Sequence, residues 1–315
     1  MIFNSLILHW RHRRKNYSFP SLGLSVLRSS RILIYFAEHC KLCKLDIYRN
    51  YLFRTAAHDL FHHLNHRYYL AKDLSVPQRI ECAVNHYRFE NATFNDAYKK
   101  IIYFGAGLPL WTKNINDVVF SIELTAGDRT IAEGDLCITL LVNQKKLHKI
   151  NFNWIRGDSF QLASQILPFI GRTQGSGHND PDARQQFDAA FPQNSPIYFC
   201  FSALQGVAQA IGASEILGVH SKRQVGFNLD DTPHFVNTYD TFWESLGGTR
   251  TGDLGYAIPV PFHVKPLSEV SAKHRKRAQA RRSHWKEIDE SARMTLESYM
   301  LESPAIASRD QYCFG

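Results

Sequence analysis

The run "NDVVFSIELTAGDRTIAEGDLCITLLVNQKKLHKINFNWI", residues 116–155, constrains the fold more than any other part of the chain. It holds three apolar stretches rich in β-branched residues, separated by the turn signals "AGD", "AEGD" and "NQKK". Such residues suit a pleated surface, and Gly, Asn and Asp supply the turns between strands. Links this short join only antiparallel neighbours, so the run reads as an antiparallel meander. "VFSIEL" and "CITLLV" alternate poorly between apolar and polar, as strands do when both faces of their sheet are covered.

The cover has to come from the rest of the chain. Residues 1 to about 110 read as helical. "RSSRILIYFAEHCKLCKLDIYRN" and "YLFRTAAHDLFHHLNHRYYLAKD" repeat apolar residues every three to four positions. "SVPQRIECAVNHYRFEN" opens with Ser75 and Pro77, a favoured helix start. After the meander, "LPFIGRTQGSGHNDPDARQQFDAAF" runs from a strand-like piece through a Gly-rich turn into a helix begun near Pro181. "SPIYFCFSALQGVAQAIGASEILGVHS" is an apolar helix, a glycine stop and a buried strand. "HFVNTYDTFWESLGG" is a helix capped by Gly247 and Gly248. "GYAIPVPFHV" reads as a last strand, whose prolines mark it as an edge or a bulged strand. A basic helix from 271 to about 300 follows. We therefore expect an α+β fold: a helical region over 1–110, a mixed and largely antiparallel sheet flanked by helices over 111–300, and a loose tail over 301–315.

Composition bounds the function. With 44% hydrophobic and 13% aromatic residues the chain can build a core, which excludes general disorder. The net charge of +8 is uneven, because "HWRHRRKNY" and "SAKHRKRAQARRSHWK" carry no acid. Clusters of this kind favour anionic lipid, nucleic acid or an acidic protein, although a solvated helix face also accounts for them. The longest apolar runs, "ILIYFA" and "GLPLW", fall far short of the roughly 20 residues of a membrane span. In "MIFNSLILHWRHRRK" the apolar residues precede the basic ones, the reverse of a secretory signal. We expect a cytoplasmic protein, peripheral at the inner membrane, with unused sequons at Asn16 and Asn91.

Two constellations suggest metal chemistry. "HCKLC" is a lone C-x-x-C at Cys40 and Cys43, and a four-ligand site would have to borrow Cys82 and His86 from "ECAVNH". His58, His62 and His66 stand four apart on one helix face, with no glutamate placed as in H-E-x-x-H. Neither spacing is specific, and no metal is expected.

On a helix, Tyr239, Phe242, Trp243 and Leu246 form one apolar stripe, with Asp240 and Glu244 on the adjoining polar face.

Several motifs in order resemble the VirK/YbjX family of bacterial proteins: "EGDLCITLLVNQKKLHKINFNWI", "TQG", the helix before "ILGVHS", "YDTFWESLGG", "GYAIPVPF" and "SAKHRKRAQARRSHWKEID", with "NHYRF" (Asn85–Phe89) upstream. The resemblance spans roughly residues 80 to 290. It implies a link to the bacterial envelope: placement of a surface protein, or resistance to antimicrobial peptides.

The order meander, strand, "RTQGSG" turn, helix, strand, helix, strand is also similar to acyltransferases of the N-acetyltransferase superfold. That resemblance implies a donor, acyl-CoA or an acyl-carrier thioester, whose phosphates meet backbone amides of an R/Q-x-x-G-x-G/A turn. Arg172, Gly175 and Gly177 fit the spacing, and a plain strand-to-helix loop fits it equally. It further implies a tyrosine acting as general acid toward the leaving thiolate, with Tyr239 and Tyr256 as candidates and Asp240 beside them.

Two functions follow. One is an envelope-related factor at the inner membrane, held by Lys273, Arg275, Lys276, Arg277, Arg281 and Arg282 on an anionic lipid surface, with Trp285 at the headgroups. The other is an acyltransferase acting on an envelope component, with an envelope or acyl-carrier protein as partner. Nucleic acid is not an expected partner, since no recognised module accompanies the charge.

Overall fold

A computed structural model describes residues 2, 7, 23–24, 31–52, 60–65, 68–127, 133–160, 162, 165–175 and 180–302. The meander forms as expected, with one strand more. Strand β1 (Leu108–Ile115) pairs antiparallel with β2 (Val118–Ala126), β2 with β3 (Leu136–Val142), and β3 with β4 (Lys145–Arg156). Two of the links are two-residue turns with both residues left-handed: Asn116 and Asp117 at φ 49° and 62°, Asn143 and Gln144 at φ 47° and 67°. Such turns twist with the strands they join, and Asn and Asp tolerate that backbone well.

Strand β1 begins inside the region read as helical. Its "GLPLW" start resembles a helix end, and only pairing with β2 makes it a strand.

Strand β5 (Ile166–Gly175) continues the antiparallel order, and β6 (Glu215–Val219) then lies parallel to β5. Strand β7 (Thr249–Thr251) and strand β8 (Gly255–Pro259) complete the order β1-β2-β3-β4-β5-β6-β8-β7. The expectation for "GYAIPVPF" is corrected here. Strand β8 sits inside the sheet between β6 and β7, and the edge is β7. Pro259 ends the strand and Pro261 follows it, so neither proline interrupts the ladder.

Helices cover the sheet. Helix α1 (Phe36–Cys43) packs on α2 (Val76–Thr93), which lies against β4; α3 (Asp96–Phe104) lies against β2 and β1. Ser75 and Gln78 close a capping box at the start of α2, with Pro77 in its first turn. After β5 come α4 (Pro181–Ala190) and α5 (Pro196–Ala210), and α5 crosses β2 to β6. Helix α6 covers 232–245, with a π-helical turn at Asn237–Thr241. It ends on Gly247 at φ 82°. Helix α7 (Ala272–Glu297) lies along α5 and reaches β1. The helices approach closely because position 206 is glycine: a Cβ there would collide with the Asp289 carbonyl oxygen. One continuous core joins the N-terminal helices, the sheet and α5 to α7. No helix among the described residues is long and apolar enough to cross a membrane.

Candidate functional site

The sheet opens where its parallel strands meet. Between β4 and β5 the register jumps from Asn151↔Arg172 to Phe152↔Ile170, which leaves Gly171 as an unpaired extra residue. A bulge of this kind bends its strand. Glycine is needed there, since a Cβ would collide with the Glu133 carbonyl. On its other side β5 pairs with β6 only at Phe169↔Leu217 and Ile170↔Gly218. Strand β6 ends one residue later at Val219, so beyond Ile170 no strand lies along this edge of β5, and its buried backbone groups need other partners.

Adjacent residues of α6 close the two sides of the opening. The Tyr239 hydroxyl lies 3.4 Å from the Thr173 nitrogen and 3.4 Å from the Thr173 carbonyl oxygen. Asp240 accepts the Ser221 N–H at 2.8 Å and the Ser221 hydroxyl at 2.6 Å, just past the end of β6. His220 Nε2 lies 3.6 Å from the same carboxylate. Both neighbours are buried within the π turn. Asp240 is therefore not on a solvent-facing polar stripe, although Glu244 is exposed as expected. Gln224 fills the rest of the gap, with Nε2 donating to the Glu133 carboxylate and 3.5 Å from the Gly171 carbonyl.

Burial sets the protonation of these groups. It pushes the Tyr239 phenol well above its ordinary range, so the hydroxyl keeps its proton. Burial lowers His220, against the opposing pull of Asp240. Burial raises Glu133 although Arg172 and Gln224 bond to it. Tyr256 is raised by burial first and then by Asp240 and Glu244, and its hydroxyl bonds Glu244 at 3.3 Å.

At the end of β5 lies a cleft of about 470 Å³. Gly175 and the first turn of α5, Ser195 to Ile197, form one wall, with Arg184 of α4 beside them. Ser195 makes no side-chain cap bond, so the start of α5 lines the cleft without a capping side chain. Leu147 and Phe242 are apolar walls, and Asn237 and Thr238 of α6 bring polar groups. His148 reaches in from β4, with Nε2 2.8 Å from the Thr173 hydroxyl. Burial lowers His148 to about 3, so it is neutral at ordinary pH.

The structure thus divides the sequence candidates. Gly175 lines the cleft and Tyr239 spans the opening beside it. Asp240 and Tyr256 belong with His220 around the end of β6. Arg172 is not free for a phosphate, because its guanidinium pairs with Glu133 and it alternates away from Thr173 along the strand. Gly177 lies outside the described residues, as do His58, His66 and the side chain of His62. Among the described residues no three His, Cys, Asp or Glu are gathered to hold a metal. Burial raises Cys43 to about 11 and Cys82 to about 12. On α7, Lys273, Arg275, Lys276 and Arg277 are exposed, and Arg281 and Arg282 are half-buried. Trp285 is committed to packing: its ring stacks on Tyr198 at 4.7 Å and its Nε1 donates to Asn194. Glu133, Gln224 and His148 were not singled out from sequence. Glu133 and His148 stand within the family motif "EGDLCITLLVNQKKLHKINFNWI" and Gln224 outside any motif, and only contact gives each its role.

Fold and opening define the class: an α+β protein whose mixed sheet parts at the parallel pair β5–β6. The chain belongs to the family described as "Protein of unknown function (DUF535)", whose pattern matches residues 9–293. It is 26% identical over 229 residues to the Escherichia coli (strain K12) protein described as "Uncharacterized protein YbjX". The match takes in 70% of this chain and 66% of that protein, just under two thirds of its length. The VirK/YbjX resemblance is thereby borne out. No solved structure matches the chain.

Proposed function

We propose that this protein is an acyltransferase that takes its acyl group from a pantetheine thioester, acyl-CoA or an acyl carrier, and passes it to a bacterial envelope component. The observation that carries this reading is the edge of β5 that runs on without a strand beside it once β6 ends at Val219, with a cleft at the end of β5. A pantetheine arm would lie along that edge as an added strand does, its amides taking over the Thr173 groups that Tyr239 holds. Gly175 and the α5 N-terminus line the cleft, and the positive end of the α5 dipole suits the arm's phosphate. The acceptor class comes from the envelope link that the family resemblance implies.

In the transfer the thioester C–S bond breaks, a C–O or C–N bond to the acceptor forms, and the acceptor's proton ends on the departing sulfur. Tyr239 holds its proton at neutral pH and stands against β5 beside the cleft, which suits it to give that proton to the thiolate and take the acceptor's proton in its place. Its contacts with Thr173 are long, so a donor amide can replace them. Asp240 and Ser221 hold α6 against β6 and keep Tyr239 in place.

The test is a thermal melt of the full chain with acyl-CoAs of several chain lengths and with acyl carrier protein. A donor at 100 times its Kd stabilises by about 2.7 kcal/mol. Melts unmoved by every donor at millimolar CoA and saturating carrier would remove the acyltransferase reading.

A further inference from the structure

Helices α5 and α7 run side by side in the same direction, since Tyr198 meets Trp285 and Gly206 meets Asp289 and Arg293. Helix α5 begins at Pro196, level with the turn of α7 just before Trp285. Residues 272–282 of α7 therefore project past the α5 N-terminus by about 15 Å at 1.5 Å per residue. They project on the cleft side, because Asn194, bonded to Trp285, is followed by the cleft residues Ser195 and Pro196.

The two parts of α7 differ in charge. Over the sheet its charges are paired: Lys286 with Glu290, Arg293 with Glu297, and Glu287 with Lys113. In the projecting part, Lys273, Arg275, Lys276, Arg277, Arg281 and Arg282 have no carboxylate within ion-pair distance among the described residues. Like charges at three- and four-residue spacing weaken a helix. Backbone carbonyls orient some of them: Arg275 donates to Val270 and Ser268, and Arg282 to Lys265. The projecting part is thus a solvent-facing cationic surface.

We infer that the projecting part of α7 is the docking surface for an acidic acyl carrier protein, which delivers its phosphopantetheine thioester into the cleft beside Gly175. This rests on the acyltransferase reading and names its donor. A cleft of about 470 Å³ lies within the roughly 300–1,000 Å³ that accept one small ligand, here the arm. The carrier stays outside, and its acidic surface meets the cations at the rim. Electrostatic complementarity of this kind speeds encounter and selects the partner. A lipid surface fits the geometry less well, because Trp285, the aromatic group that would enter the headgroups, is stacked on Tyr198 and bonded to Asn194.

The experiment compares the parent with Lys273→Glu/Lys276→Glu/Arg277→Glu, all three exposed and outside the cleft. A Gln version of the same triple variant guards against misfolding, and circular dichroism checks both. The probes are palmitoyl-loaded acyl carrier protein, palmitoyl-CoA, and vesicles of neutral lipid with or without one third anionic lipid. Charge reversal should weaken carrier binding on the order of 100-fold, and rising salt should weaken binding to the parent. Palmitoyl-CoA binding should change less than about twofold, as the cleft is untouched. Carrier binding unchanged by reversal, or palmitoyl-CoA bound with no carrier bound, overturns the docking proposal and leaves the acyltransferase reading standing. Anionic vesicles bound in place of the carrier overturn it in favour of a membrane surface. Binding of neither donor overturns both readings.

Discussion

The Tyr239 hydroxyl sits 3.4 Å from both the amide nitrogen and the carbonyl oxygen of Thr173, so a side chain of α6 fills the place on β5 that a neighbouring strand would fill. The next residue, Asp240, holds Ser221 on the β6 side. Two consecutive residues thus clamp an opened sheet.

Tyr239→Phe should separate stability from chemistry. Both contacts are longer than an ordinary N–H···O bond, so losing the hydroxyl should cost about 0.5–1.5 kcal/mol in urea unfolding. Tyr239→Ala also removes a ring packed on Trp243 and Phe235, and should cost about 3–5 kcal/mol. The Phe variant should bind donor as the parent does and turn over about 100-fold more slowly. Unchanged turnover would leave Tyr239 as a clamp alone.

Acid should destabilise the protein from about pH 6.5 downward. Burial lowers His148 to about 3 and His39 to about 4, against about 6.5 unfolded. Between these values each imidazole is neutral when folded and protonated when unfolded, so the unfolded state binds more protons. Their contribution is complete above pH 6.5 and is lost as pH falls, at about 1.4 kcal/mol per pH unit for each histidine. Urea titrations from pH 7 to 4.5 on parent and His148→Gln should show the variant with the shallower slope. Parallel slopes would mean that His148 takes up a proton in the folded state.

Gly206→Val tests the spacing of α5 and α7. The valine would collide with the Asp289 backbone, and overpacking of this kind costs about 1–3 kcal/mol. Thermal melts should show the loss, and carrier binding should weaken with it as the projecting part of α7 is displaced. An unchanged melt would mean that the helices have room to part.

Gly175→Trp should fill the end of the cleft next to the α5 N-terminus. The variant should fold, because Gly175 is exposed at the last position of β5. It should lose the thermal stabilisation that an acyl-CoA gives the parent. Full stabilisation of the variant would move the donor's phosphate elsewhere.

What the sequence determined by itself is what neighbouring residues decide. Asn116 and Asp117 take the left-handed backbone of a two-residue turn, Ser75 and Gln78 cap a helix within four residues, and Gly247 stops α6 because it takes a positive φ. The meander, the helices around it and the acid-free run of α7 were legible on those grounds. The tertiary structure decided everything that depends on which surfaces meet. Strand β1 is a strand only beside β2, and β8 is interior only because β7 folds back on it. Arg172 is held by Glu133, 39 residues away. Asp240 is held by Ser221, 19 residues away. Hydrogen bonds across such separations depend on how the whole chain packs, whereas helix period, caps and turns are set within a few residues.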